Sequence, residues 1–109
     1  MPFKVVFTEF AQKDFEKLAP SVAPRVAAAI MRVAGNPLPQ ARGGYGKPLA
    51  NKSGSALAGL LKIKLRGDGI RIVYALREQA GEMLLVVISM REDNKAYTLA
   101  ATRRKMLGV

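Results

Sequence analysis

The chain contains no histidine and no cysteine. Without cysteine it has no disulfide framework and no thiolate metal site, which fits a reducing compartment. Without histidine it lacks the usual general base and the usual zinc ligand, so any acid–base chemistry falls to Lys, Arg, Tyr, Asp or Glu. Long apolar runs are also missing. The run Met83 to Ile88, which no other exceeds, is far short of the ~18 residues that suggest a membrane span, and MPFKVVFTEF at the N-terminus has no signal-peptide core. The expected location is the cytoplasm, with no membrane partner. Acidic residues are scarce too: 8 against 18 basic ones, for a net charge of +10. None lies between Glu16 and Asp68, while Lys17, Arg25, Arg32, Arg42, Lys47, Lys52, Lys62, Lys64 and Arg66 all do. Such a field draws polyanions through counterion release, which makes nucleic acid the leading partner class and an acidic protein the next.

What is present is enough for one domain spanning residues 1–109, half of it hydrophobic. Its organising stretch is GLLKIKLRGDGIRIVYALR, Gly59 to Arg77. Two alternating runs flank Asp68-Gly69, a dipeptide favoured in two-residue type I′ turns. That turn predicts Arg66 opposite Arg71, Lys64 opposite Val73 and Lys62 opposite Ala75. It places Lys62, Lys64, Arg66 and Arg71 on one face and Leu61, Ile63, Leu65, Ile72, Tyr74 and Leu76 on the other. Like charges across a strand pair are destabilising, so the basic face reads as an anion site, with a solvated lysine-rich face as the plainer alternative.

Before the hairpin, Phe3, Val5 and Phe7 mark a first strand. Thr8 is a candidate cap for a helix whose apolar face is Ala11, Phe15 and Leu18, closed by Pro20. Ser21 is a candidate cap for a second helix with Val22, Val26, Ile30 and Val33, ending at Gly35. These helices are expected to form an antiparallel pair covering one face of a sheet. Residues 36–58 read as a long surface loop. Within it, Arg42-Gly43-Gly44-Tyr45-Gly46-Lys47 could offer backbone amides to phosphate, but it lacks the P-loop pattern, and the reading preferred for it is a mobile surface loop. Gly81 marks a turn, and Met83 to Ser89 reads as a strand buried on both faces. A last helix runs from about Asn94 to Leu107, capped by Asp93. Its Arg103, Arg104 and Lys105 suit either the negative end of the helix dipole or RNA contact.

The order strand, two helices, three-stranded meander and terminal helix, with Lys62-Ile63-Lys64-Leu65-Arg66, Gly69-Ile70-Arg71-Ile72-Val73-Tyr74 and Val87-Ile88-Ser89 leading to Arg91-Glu92 and Tyr97, resembles the RelE-type toxins of the RelE/ParE superfamily. These are ribosome-dependent mRNA endonucleases of type II toxin–antitoxin modules. The resemblance covers nearly the whole chain. It implies an α+β fold of the microbial-RNase kind: a four-stranded antiparallel or mixed sheet, the N-terminal helix pair on one face, and a C-terminal helix. It also implies a catalytic set of Lys62, Lys64, Arg71, Arg91 and Tyr97, with Arg66, Lys47, Arg103 and Arg104 as further RNA contacts. No cofactor and no metal are expected. The implied partners are the ribosome with its rRNA, mRNA, and an acidic RelB-like antitoxin. The chain departs from the family in a longer loop before the hairpin and a shorter link from Ser89 to Arg91. In this chemistry a 2′-hydroxyl attacks the adjacent phosphate: a lysine whose charged form is disfavoured by neighbouring cations serves as base, and arginine clamps phosphate. By resemblance, Arg91 is the general acid and Tyr97 stacks on or orients a base. A ParE-like DNA gyrase inhibitor and a non-catalytic RNA-binding protein are the competing readings.

Overall fold

A computed structural model describes residues 2–49, 57–90 and 93–109, the last segment without the side chains of residues 93 and 94. The strands are β1 (Lys4–Phe7), β2 (Lys47–Pro48), β3 (Leu61–Leu65), β4 (Ile70–Arg77) and β5 (Glu82–Ser89); the helices are α1 (Glu9–Glu16), α2 (Ala23–Ala34) and α3 (Asp93–Leu107). The sheet is mixed and has the order β1-β5-β4-β3-β2. Only β1 and β5 are parallel. The α+β class is as expected, but the sheet has a fifth strand. The two residues of β2 pair with Leu61 and Lys62, too short a stretch for alternation to reveal in sequence.

Two apolar layers flank the sheet. On one face, Ile63, Ile72, Tyr74 and Leu85 pack beneath Ala11 of α1 and Val26, Ile30 and Val33 of α2. On the other, Val73, Ala75, Leu84 and Val87 pack beneath Ala96, Tyr97 and Ala100 of α3. The unbroken run of β5 is thus buried on both sides. Consecutive Val86 and Val87 share the α3 face because a bulge interrupts the β4–β5 register, which passes from Val73↔Val87 to Tyr74↔Leu85 and skips Val86.

Thr8 caps α1 as expected: its Oγ1 accepts from the Ala11 amide at 3.2 Å and also donates to the Leu85 carbonyl at 2.8 Å, tying the helix start to β5. Ser21 does not cap α2. The helix begins after Val22, with Pro24 in its first turn, where a missing N–H costs nothing. Gly35 ends α2 with ordinary helical dihedrals and not in the left-handed region.

The hairpin turn is also corrected. Residues Arg66–Asp68 form one 3₁₀ turn, and Gly69 alone is left-handed, at φ 66°. No non-glycine residue among those described has positive φ, so Asp68 is not in a type I′ turn. Its carboxylate instead forms a forked pair with Arg25 of α2, the shortest contact being 2.6 Å. The four-residue loop slides the register by two, giving Leu65↔Ile70, Lys64↔Arg71 and Lys62↔Val73. A two-residue slip preserves the faces, and the apolar and basic sides are as expected.

The loop after α2 is tied down by hydrogen bonds in residues 36–46, where a mobile segment was expected. Tyr45 N donates to Asn36 O at 3.0 Å, Gly46 N to Leu38 O at 3.0 Å and Gln40 N to Gly46 O at 2.8 Å. Buried Tyr74 donates its hydroxyl to Pro37 O at 2.7 Å. A Cβ on Gly46 would lie 2.4 Å from the Tyr74 hydroxyl, so only glycine allows this approach. The rest of the expected loop, residues 50–56, lies outside the described residues.

Candidate RNA-cleaving centre

Strand register assembles the basic residues. Lys62 and Lys64 lie two apart on β3 and therefore on one face. Lys64 faces Arg71 of β4, and Arg71 faces Ser89 of β5. Lys47 of β2 faces Lys62. Facing residues have Cβ atoms about 4.5–5.5 Å apart, so Lys64 beside Arg71 and Lys47 beside Lys62 bring like charges together on this face. A phosphate suits the arrangement, because guanidinium and ammonium groups donate several charge-assisted hydrogen bonds to its oxygens. The same face, towards the other end of β4, is sealed by α3, so the basic residues occupy one end of the sheet and not an open plain.

Tyr97 of α3 reaches Lys62. Lys62 Nζ donates to the Tyr97 hydroxyl at 2.7 Å and stands 5.4 Å from the ring centroid. The ring is only 6% exposed and packs in the α3 layer. Its faces are closed to an incoming base in this conformation, so the stacking role expected of Tyr97 is not the one this arrangement supports. What the site receives from Tyr97 is its hydroxyl, which fixes Lys62.

Arg66 is exposed at the hairpin tip, beyond the last strand pair. Arg103 is not on this surface: its guanidinium binds Asp14 at 2.6 Å and donates to Val86 O at 3.0 Å. Arg104 donates to Ala58 O at 2.6 Å and Val109 O at 3.0 Å, holding the C-terminus to the segment before β3. Arg91, assigned by resemblance as the general acid, lies outside the described residues, as does the Asp93 side chain expected to cap α3. Lys47, Lys62, Lys64, Arg71 and Tyr97 therefore come together, with Arg66 at the margin. Sequence reading missed Tyr45, which lines a cleft with Arg32, Lys47, Lys62 and Lys64. The available signal was an aromatic residue between Arg42 and Lys47. Among the described residues no group of three or more carboxylates could hold a metal ion.

No family model matches the sequence. A protein of Escherichia coli named as a RelE-like toxin protein is 28% identical over 109 residues, spanning 96% of this chain and all of that one. An arginine-to-alanine double variant of E. coli RelE in the free state superposes with a TM-score of 0.71 at 25% identity, over 94% of this chain and 98% of that one. The chain is similar to RelE toxins in both sequence and fold. A toxin–antitoxin complex, RelBE2 of Mycobacterium tuberculosis, is a further structural neighbour, with a TM-score of 0.66 and 26% identity over 84% of this chain and all of that one.

Proposed function

We propose that this RelE-type chain is the toxin of a type II toxin–antitoxin pair and a cytoplasmic endoribonuclease that cuts mRNA in the ribosomal A site. The observation that carries the reading is the convergence of Lys62, Lys64 and Arg71 on one face, with the Tyr97 hydroxyl holding Lys62. Lys64 takes the proton of a ribose 2′-hydroxyl, and the oxygen attacks the adjacent phosphorus. Arg71, directly opposite, binds the phosphate oxygens, and Lys62 adds its charge as the phosphorane forms. The P–O5′ bond breaks and the leaving oxygen takes a proton, leaving a 2′,3′-cyclic phosphate and a 5′-hydroxyl. By family resemblance Arg91 supplies that proton.

The ribosome enters because the site is shallow. Holding reactants in line is worth ~7–11 kcal/mol, and a few cations on a sheet end have little with which to fix a flexible strand. A codon presented by the ribosome arrives already positioned. An acidic antitoxin of the RelB kind fits the same basic face and would exclude RNA from it; the neighbouring M. tuberculosis complex supports such a partner.

The test is single-turnover cleavage of one mRNA, free and in a programmed ribosome, with analysis of the product ends. Expected are cleavage only on the ribosome, a cyclic phosphate at the upstream end, and at least a ~100-fold loss in Lys64→Ala without a change in its melting transition. Equal rates on free and ribosomal mRNA would remove the ribosome from the proposal. RNA binding without any product would favour a non-catalytic RNA-binding protein, and inhibition of DNA supercoiling with translation intact would favour a gyrase inhibitor.

A further inference from the structure

Two of the clefts that border the sheet are lined by several charged side chains. The larger, about 340 Å³ between α1 and α3, has Asp14 and Arg103 in its wall, and that pair is already satisfied by mutual contact and by β5 backbone. The smaller, about 150 Å³, opens where β2 ends and is lined by Arg32, Val33, Tyr45, Lys47, Lys62, Ile63 and Lys64. None of the described residues that line it is a carboxylate. Among the described residues Arg32, Tyr45 and Lys47 make no side-chain hydrogen bond or ion pair.

Tyr45 is the unusual member. It is 56% exposed, yet its backbone is among the best anchored on the surface. Its own amide and that of Gly46 are bonded to the far side of the loop, Asn36 Nδ2 donates to Gly43 O at 3.2 Å, and Arg42 forms a two-pronged pair with Glu78 at 2.9 Å. Gly44 packs so closely that a Cβ there would lie 2.0 Å from Leu38 O. A loop this constrained presents the ring at a fixed place beside cations from α2, β2 and β3, and the ring gains nothing for stability by standing in water.

We infer that Tyr45, Arg32, Lys47 and Lys62 form a subsite for a single-stranded RNA nucleotide next to the one cleaved, an inference that rests on the ribonuclease reading above. Tyr45 stacks on the base, and Arg32 and Lys47 hold its flanking phosphates, with Lys62 shared between subsite and cleavage centre. Stacking on a single aromatic is how single strands are held without sequence readout. The cleft is smaller than the ~300 Å³ at which small-molecule pockets begin, and its cationic lining has no apolar floor broad enough for a helix. RNA therefore fits it better than a protein segment does.

The experiment measures binding of a 5-iodouridine-labelled RNA hexamer, 2′-O-methylated so that it cannot be cleaved, to the full chain at low salt. Fluorescence anisotropy gives affinity, and photocrosslinking followed by peptide mapping gives position. Expected are a crosslink at Tyr45, a roughly 5- to 100-fold weaker affinity in Tyr45→Ala, near-parent affinity in Tyr45→Phe, and unchanged melting in both. An affinity unchanged in Tyr45→Ala, or a crosslink confined to other residues, overturns the subsite. So does a Tyr45→Ala defect seen with an acidic peptide and absent with RNA, which would make the cleft a protein-docking site. If Tyr45-dependent RNA binding is present but the parent chain cuts no ribosomal mRNA, the cleavage proposal fails, and the cleft is an RNA-binding site with no cleaved neighbour.

Discussion

Arg103 and Asp14 stand 89 residues apart in sequence and close a gap that the sheet itself leaves open. β1 pairs only with Glu82–Leu85, so beyond Leu85 that side of β5 has no strand partner. Arg103 donates to Val86 O, on the bulge, and Asp14 accepts the Ile88 amide at 2.9 Å. The two side chains, 13% and 14% exposed, bind each other at 2.6 Å. Removing one member of such a pair strands the other and costs ~3–5 kcal/mol. Arg103→Ala is therefore expected to lose about that much stability in urea titration, and the double replacement Asp14→Leu with Arg103→Met much less. A single-variant loss within the ~0.5 kcal/mol of ordinary surface changes would refute the structural role. From sequence, Arg103 was one of three basic residues near a helix end, open to a dipole role or RNA contact. Periodicity carries no trace of a carboxylate at the other end of the chain, and for the same reason Tyr97 read as a base-stacking residue when tertiary packing closes both its faces.

At the scale of elements, the hairpin separates what alternation encodes from what it does not. Its faces were legible because a two-residue slip moves every side chain to an equivalent position on the same face; its turn was not, because Arg25 of α2 takes the Asp68 carboxylate. That pairing has a pH signature. Hydrogen bonding from Arg25, aided by charge attraction, holds Asp68 below the ordinary carboxylate value, and Arg42 does the same for Glu78. A carboxylate depressed in the folded state contributes stability above its unfolded pKa, ~4 for either residue, and the contribution disappears as pH falls through the depressed value. The stability difference between parent and Arg25→Met should thus be constant from pH 7 to about 5 and close below about pH 4. Because Arg25 is largely exposed, the difference should be small and should shrink in high salt. A difference that persists at pH 2 would mean that Arg25 acts through packing alone. The loop of residues 36–49 yields a second prediction. Burial pushes the Tyr74 hydroxyl above its usual pKa, so it remains a donor to Pro37 O across the working range. Tyr74→Phe leaves that carbonyl without its donor, at a cost of ~1–3 kcal/mol. Proteolysis between residues 36 and 49 should accelerate in the variant, and an unchanged cleavage rate there would show that the loop is held by its other contacts.

Across the whole molecule, charge is segregated by how the carboxylates are used. Among the described residues Asp14, Asp68, Glu78 and Glu82 are in ion pairs with Arg103, Arg25, Arg42 and Arg77, at the α1–α3 cleft, the hairpin tip and the β4–β5 turn. None of these pairs involves Lys47 or Lys62, two of the 18 basic residues behind the net +10. A polyanion bound at the basic face displaces counterions, so its affinity should fall with salt at a slope of about −0.7 per phosphate contacted on a single strand. If Lys47, Lys62, Lys64 and Arg71 each meet a phosphate, the slope of log affinity against log salt is about −3. Lys47→Ala should make it shallower by about 0.7, weakening binding alike for every RNA sequence, because a phosphate contact carries no base information. Lys13→Ala removes the same charge from exposed α1, on the opposite side of the sheet, and should leave the slope as it is. Anisotropy titrations of one uncleavable RNA at four salt concentrations decide the matter. Equal slopes for Lys13→Ala and Lys47→Ala would mean that RNA responds to the net charge of the protein and not to this face, and would leave the basic cluster without a binding role.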